Sequence, residues 1–490
     1  MRRCGVLLHI TSLSGTGPVG TMGGEAREFV DFLAAAGHSL WQVLPLTPPS
    51  RGNSPYSAYS VFAGNPYLIS FAQLEQEGLL PQGCLKDLPP PSAAADYEAC
   101  AEWCPKLLRL AFSMCGQVPK EELARFREKH AWWLEDYALF MALREQQGVP
   151  FYEWDRPLLL REPEALRQAT EALKTETAFW CYVQYLFFRQ WEALKEYANR
   201  RGVRIMGDMP IYADIDSAEV WAHPGIFQLD ENRRPTRVAG VPPDAFSAQG
   251  QLWGNPLYDW EALRSQGYNW WLHRMRVAGE MYHLVRIDHF RALEAYYAIP
   301  AGDATAENGS WEPGPGMNFL QAVQAVIPPN RLVAEDLGML TDGVRQLLAD
   351  SGLPGMKVLQ FAFEPGGDSA YLPHNITPHC AAYIGTHDNN TALGWLQSAP
   401  PWQADFAREY LRLTKEEGEH WGLIRGLYAS AAQTAVVQMQ DVLGLGGEAR
   451  MNTPAVPNGN WRWRMEPSAL TSELSGRLAG LARLYSRTGG

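Results

Sequence analysis

The chain has 490 residues, 46% of them hydrophobic and 20% charged, enough to bury a large core without a disulfide or metal staple. Its 54 acidic against 42 basic side chains leave a formal charge of −12, and no basic block stands out, which argues against nucleic acid or an anionic membrane as partner. Aromatic residues are abundant (18 Trp, 20 Tyr, 18 Phe), as suits either an extensive core or flat surfaces for stacking sugar rings or bases, the acidic balance disfavouring bases.

Met1-Arg2-Arg3 leads into a short apolar run broken by His9, with no small-residue cleavage site behind it, and reads as a first strand rather than a secretion signal. Apolar runs bounded by turn residues recur at 5–10, 41–46, 203–206, 283–287, 331–334, 356–361, 381–385 and 437–443. Such near-continuous apolar character marks parallel strands buried on both faces. Helical patterns lie between them at 24–36, 319–326 and 341–351. Eight strands alternating with helices predict an α/β fold, a (β/α)8 TIM barrel spanning 1–490 as a single catalytic unit, with a doubly wound parallel sheet as runner-up.

The interval between the second and third runs is far too long for one crossover. It predicts a mainly helical insertion at 66–202, with helices at 94–115 (interrupted at Pro105), 120–147 and 164–201. The aromatic stretch 130–143 has helical spacing and reads as core. A second insertion, 211–280, is rich in Gly, Pro and Trp with few long periodic segments, and reads as loops bordering the cleft at one end of the barrel. No apolar run approaches the ~18–20 residues of a membrane span. The seven cysteines are scattered without a CxxC pair, so free thiols in a cytoplasmic setting are expected, with no metal or cofactor implied.

Gly15-Thr16-Gly17-Pro18-Val19-Gly20 matches GxGxxG, but the next strand ends in Leu46-Thr47-Pro48-Pro49 with no carboxylate for a ribose, so a dinucleotide site is set aside. Four segments instead place acids where an apolar run stops: Gly207-Asp208, Ile287-Asp288, Ala334-Glu335-Asp336 and His387-Asp388. In a barrel these ends converge on one cleft. Strand alternation puts Arg286 and Asp288 on one face, where the cation favours an ionised carboxylate, and a structural ion pair is the competing reading. Glu335 follows hydrophobic residues, and desolvation there raises the pKa of a carboxylic acid. A low-pKa carboxylate beside a raised-pKa acid is the minimal kit for glycosidic bond cleavage. Metal-assisted hydrolysis through His283, His289 and His387 is the alternative use, although closely spaced ligands are not evident.

With these segments the chain resembles the amylomaltases, the 4-α-glucanotransferases related to the α-amylase group. The resemblance runs nearly end to end, through Leu8-His9, Thr11-Ser12-Leu13, the stretch 41–46, Ser54-Pro55-Tyr56 and the stretch 62–66. It continues through Gly207-Asp208-Met209-Pro210, the stretch 240–244, Trp253-Gly254-Asn255-Pro256, the three acid segments, Arg450-Met451-Asn452 and Gly459-Asn460-Trp461. It implies retaining double displacement, with Asp288 as nucleophile, Glu335 as general acid/base and Asp388 as transition-state stabiliser. Arg286 would support Asp288, while His387, Asp208 and Tyr56 would meet the donor sugar. Phe246, Gln251 and Trp253 would border the acceptor side, and Asn460 the glucan path. The implied partners are α-1,4-glucans, with glucose or a glucan as acceptor.

Departures from the family pattern are Ala245 beside Phe246, Arg51 at a secondary glucan site away from the cleft, Asn390 for an acid and Ala292 for glycine. They bear on acceptor preference, not on the chemistry. An α-amylase-type hydrolase and a non-catalytic glucan-binding protein are the rival functions.

Overall fold

A computed structural model describes residues 2–243, 247–338, 340–364, 366 and 368–488. At its centre lie eight parallel strands: β1 Arg3–Leu7, β2 Leu40–Gln42, β3 Arg204–Met209, β4 Leu284–Ile287, β5 Leu332–Ala334, β6 Gly355–Val358, β7 Cys380–Tyr383 and β8 Thr434–Gln438. Each pairs with the next in chain order except β5 with β6, and β1 also pairs with β8. The remaining seam, between β5 and β6, is joined where the Ala334 N–H donates to the Pro354 carbonyl at 2.9 Å. The sheet thus closes on itself, which is the predicted barrel and not a doubly wound sheet.

The strands are apolar on both faces for a simple reason. Leu7, Leu40, Met206, Leu284, Val333, Met356, Tyr383 and Val436 pack inside the barrel. Their alternates Val6, Trp41, Ile205, Val285, Leu332, Ala382 and Val437 pack against the surrounding helices. At about 1.5–3 kcal/mol for each fully buried side chain, both faces favour apolar residues.

Several runs end earlier than their apolar character suggests. The last one gives way to a buried helix, Met439–Val442, after Gln438, and a short apolar run cannot by itself tell strand from buried helix. The helix Tyr97–Ser113 passes through Pro105 without the expected interruption. Proline there removes a bond to the carbonyl of Ala101, and both residues are exposed, so water takes that carbonyl. The helices Lys120–Gln147, Pro163–Ala172 and Lys174–Arg200 follow, with Trp133, Tyr137 and Phe140 buried between them.

The stretch 211–280 is more ordered than its composition suggests. It contributes Arg237–Val241 and Gln251–Pro256 to a four-stranded antiparallel sheet completed by Ala295–Pro300 and Ser310–Pro313, and it ends in the helix Asn269–Met281. Sequence reading missed this sheet because each of its strands carries Gly or Pro and its central pairing, Arg237 with Pro300, joins distant segments.

Two glutamines of the helix Lys174–Arg200 fix the chain that leaves β2. Gln184 accepts the Gly64 N–H at 2.7 Å and donates to its carbonyl at 3.0 Å, and Gln190 does the same for Ser70 at 2.7 and 3.0 Å. A Cβ on Gly64 would stand 2.0 Å from the Phe187 ring, so only glycine permits this approach. At the opposite end of the barrel, buried Arg487 donates to the carbonyls of Arg3, Tyr428, Ser430 and Ala432 at 2.9–3.1 Å.

Candidate active site

The C-terminal ends of the strands open into a cleft of about 1120 Å³. Asp208 lies on β3, Asp288 and Glu335 directly follow β4 and β5, and Asp388 sits in the turn beyond β7. Asp288, Glu335, Asp388, Arg286, His387 and Tyr56 all line the cleft, as do Gln251, Trp253 and Asn460 from the surrounding loops. Phe246 lies outside the described residues.

Arg286 is the hub. Its Nη1 donates to both oxygens of Asp208 at 2.7 and 2.8 Å and to Oδ1 of Asp288 at 2.8 Å. Asp208 is wholly buried, and its Oδ2 also accepts the Tyr56 hydroxyl at 2.7 Å. It therefore stands against Tyr56 and is not among the residues that line the cleft.

This sharing reverses one expectation. Arg286 alone would depress the pKa of Asp288, yet Asp288 is pushed up to about 7, mainly by burial. Arg286 draws it down, while Asp208 and Asp388 push it up. One guanidinium divided between two carboxyl groups cannot outweigh the loss of water.

Glu335 behaves as its apolar approach suggests. Burial pushes it up to about 8, with Asp288 adding to the rise and Arg286 opposing it. Its Oε2 accepts the His289 N–H at 2.7 Å and its Oε1 the Leu337 N–H at 3.2 Å. His289 adopts a left-handed backbone, φ 52°, immediately after Asp288. Non-glycine residues seldom take this conformation, and here it turns the N–H towards the acid.

Asp388 is held from a separate segment. Asn452 Nδ2 donates to its Oδ1 at 2.6 Å, and His387 Nε2 lies 3.4 Å from the same oxygen. The His387 ring stacks on Tyr56 at 5.2 Å and 13°. Burial holds the His387 pKa below its ordinary value, with Asp388 pulling the other way.

On the opposite wall, strand alternation turns Gln251, Trp253 and Asn255 to the cleft. Trp253 Nε1 donates to Gln251 Oε1 at 3.2 Å, and its ring meets His289 edge-on at 4.9 Å. Asn460 spends its amide on its own loop, accepting from Thr453 N and donating to the carbonyls of Thr453 and Val456. Asp336 faces away from the cleft onto Met356 N at 2.5 Å and Lys357 at 3.7 Å.

Arg51, expected away from the cleft, lines it while its guanidinium reaches the buried carboxylate of Asp214 at 3.2 Å. Asp214 also accepts the hydroxyls of Ser50 and Ser57 at 3.0 and 2.7 Å, and so secures the loop that carries Tyr56. Sequence reasoning weighed His289 only as a metal ligand, and passed over Asp214 and the role of Asn452. The triplet Arg450-Met451-Asn452 was the one available signal for the last.

Other sequence candidates fall away on geometry. The GxGxxG loop points carbonyls inward: Arg464 donates to Gly15 and Gly17 at 2.9 Å and to Leu13 at 3.1 Å, the reverse of an anion cradle. His283 accepts the Ile205 N–H ahead of β4, a strand's length from His289 and His387. Among the described residues no group of three or more His, Cys, Asp or Glu side chains is placed to hold a metal ion.

The family model for 4-α-glucanotransferase matches residues 8–471. The 4-α-glucanotransferase of Thermus thermophilus is 49% identical, with 99% of each chain covered. That of Synechocystis sp. is 45% identical over 99% of this chain and 98% of its own. The solved amylomaltase from Streptococcus agalactiae in complex with acarbose superposes with a TM-score of 0.97 at 38% identity, covering 99% of this chain and 100% of that one. With a closed barrel, a carboxyl-lined cleft and a family match over nearly its whole length, the chain belongs to the 4-α-glucanotransferase family.

Proposed function

We propose that Asp288 is the nucleophile, Glu335 the general acid/base and Asp388 the transition-state stabiliser of 4-α-glucan transfer. The observation that carries the assignment is the contrast between the first two. Asp288 accepts a charged hydrogen bond from Arg286, which favours its carboxylate, whereas Glu335 accepts from the backbone N–H groups of His289 and Leu337.

Asp288 attacks the anomeric carbon of an α-1,4-glucan while protonated Glu335 gives its proton to the departing oxygen, leaving a glucan bonded to Asp288. Glu335, now a carboxylate, removes the proton from the 4-hydroxyl of an acceptor glucose or glucan. That oxygen displaces Asp288, with retention overall. Asp388 and His387 meet hydroxyls of the donor sugar, whose bonds tighten as positive charge develops on the ring. Tyr56 supplies the stacking surface. Asp208, with no face on the cleft, orients Arg286 and Tyr56 instead of touching sugar.

Gln251 and Trp253, with Phe246 beside them in sequence, form the acceptor wall whose occupation by sugar keeps water from intercepting the intermediate. The chain works as one catalytic barrel over 1–490. The helical insertion 66–202 buttresses the loop bearing Tyr56, and the insertion 211–280 borders the acceptor side. Seven free thiols support a reducing, cytoplasmic setting. Among the described residues no helix is long and apolar enough to cross a membrane.

Incubation with maltotriose tests the reading. Transfer yields free glucose together with a ladder of longer glucans, whereas products that only shorten would mark a hydrolase. Asp288→Asn and Glu335→Gln each lose several orders of magnitude in turnover with the fold retained, and an active variant of either would overturn its assigned role.

A further inference from the structure

Asp388 projects into the cleft from a turn, with its side chain 43% exposed. An acid so placed has several rotamers open to it, and each would aim its oxygens differently at a sugar. The chain does not leave this to chance. Residues 450–452 lie alongside 387–388 and are tied to them by several bonds. Asn452 N donates to the His387 carbonyl at 3.1 Å, and Arg450 Nη2 donates to the Asp388 carbonyl at 2.5 Å. Arg450 Nε also reaches back to the Asn452 carbonyl at 2.8 Å, so one guanidinium staples both backbones. On that frame the Asn452 amide reaches Oδ1 of Asp388 at 2.6 Å, leaving Oδ2 without a hydrogen-bond partner among the described residues.

We propose that Asn452 is a positioning residue for glucan transfer, its amide fixing the orientation of the Asp388 carboxyl group from the neighbouring segment without adding a charge. The choice of side chain fits the task. A lysine or arginine in its place would neutralise the group meant to meet developing positive charge, and a hydroxyl would be too short to span from residue 452. Arg450 is kept to the backbone carbonyls, so its cation serves the frame and not the carboxyl group. The charged and titratable groups around Asp388 are His387, Arg450, Asp288 and Tyr56. The inference rests on the reading of Asp388 as the group that steadies the transition state.

Three variants of the full chain, assayed on maltotriose, test it. Asn452→Ala is expected to lose roughly 10- to 100-fold in kcat, with KM within about threefold of wild type, because a misaimed group costs most where charge develops. Asn452→Asp gives a readout that a packing role would not move. A carboxyl group at this position can donate to Asp388 only while the pair shares a proton, and two carboxyl groups this close hold that proton into the neutral range. The ratio of its kcat to that of wild type should therefore rise as the pH falls from about 8 to about 5.5. Asp388→Asn, expected to be inactive, separates the two readings. Activity retained there removes the role of Asp388 and this inference with it. An inactive Asp388→Asn beside an Asn452→Ala within twofold of wild type, or an Asn452→Asp ratio flat with pH, overturns the role of Asn452 alone.

Discussion

The backbone N–H of His289, the residue after Asp288, donates to Oε2 of Glu335 at 2.7 Å, so the loop that carries one carboxyl group also aims the other. Both acids are half-buried, and the loss of water around them pushes Asp288 up to about 7 and Glu335 up to about 8. On the proposed roles, turnover needs the first ionised and the second protonated. We expect kcat/KM to fall on the acid side as Asp288 gains its proton and on the alkaline side as Glu335 loses its own, the two limbs describing the pair. With an aryl maltooligosaccharide donor, whose leaving group needs no proton, Glu335→Gln should release its first aryl group without the alkaline limb. Survival of that limb would point to another group.

Asp208 raises the pKa of Asp288 through its own negative charge and by claiming Arg286. In Asp208→Asn the guanidinium belongs more fully to Asp288, so the acid limb should move to lower pH. The Tyr56 and Arg286 contacts are loosened at the same time, and kcat should drop about 10- to 100-fold. A pH profile of kcat/KM checks the direction. An unchanged or raised acid limb would show that Asp208 only fills space.

Asp441 is a buried acid outside the reaction. Its Oδ1 accepts the Ala392 N–H at 2.6 Å, its Oδ2 has no partner among the described residues, and burial pushes it up to about 7. A folded pKa above the unfolded value of about 3.9 means that stability is lost as the pH climbs from there through about 7. Asn in its place keeps the acceptor and has no charge to bury. Asp441→Asn should match wild type in thermal unfolding near pH 4 and exceed it by a few kcal/mol near pH 8. Equal melting temperatures at both pH values would contradict this.

Arg487 closes the far end of the barrel by satisfying four carbonyls from β1 and from the approach to β8. Alanine leaves those oxygens buried and unpaired. We expect Arg487→Ala to cost roughly 3–5 kcal/mol in chemical denaturation. Its kcat should stay near wild type, since that end of a barrel governs stability and not chemistry. A large loss of kcat with unchanged stability would refute this division.

The barrel was legible because both faces of each strand are dry, which writes a continuous apolar run into the sequence. The acids were legible because strand ends are where such runs stop. What escaped depended on distant partners. The Arg286–Asp288 pair was visible as two residues on one face, but Asp208, 78 positions earlier, takes a share of that charge and helps reverse the expected shift. Asn452 stands 64 positions from the oxygen it holds. No periodicity marks the left-handed turn at His289 or the antiparallel sheet behind Trp253. Pro105 misled because a helix breaker is tolerated where water can reach the released carbonyl.

The guanidinium of Arg286 faces Asp208, Asp288 and Glu335, and that of Arg450 serves Asp388 only at its backbone. Counted as an electrostatic vessel, this end of the barrel is short of positive charge, and a neutral sugar entering it leaves that shortage untouched. The deficit is met only for the brief interval in which the sugar ring itself becomes a cation. A ligand bearing a permanent positive charge at the ring should therefore bind far more tightly than a maltooligosaccharide of equal length, and its grip should weaken as the cleft takes up protons.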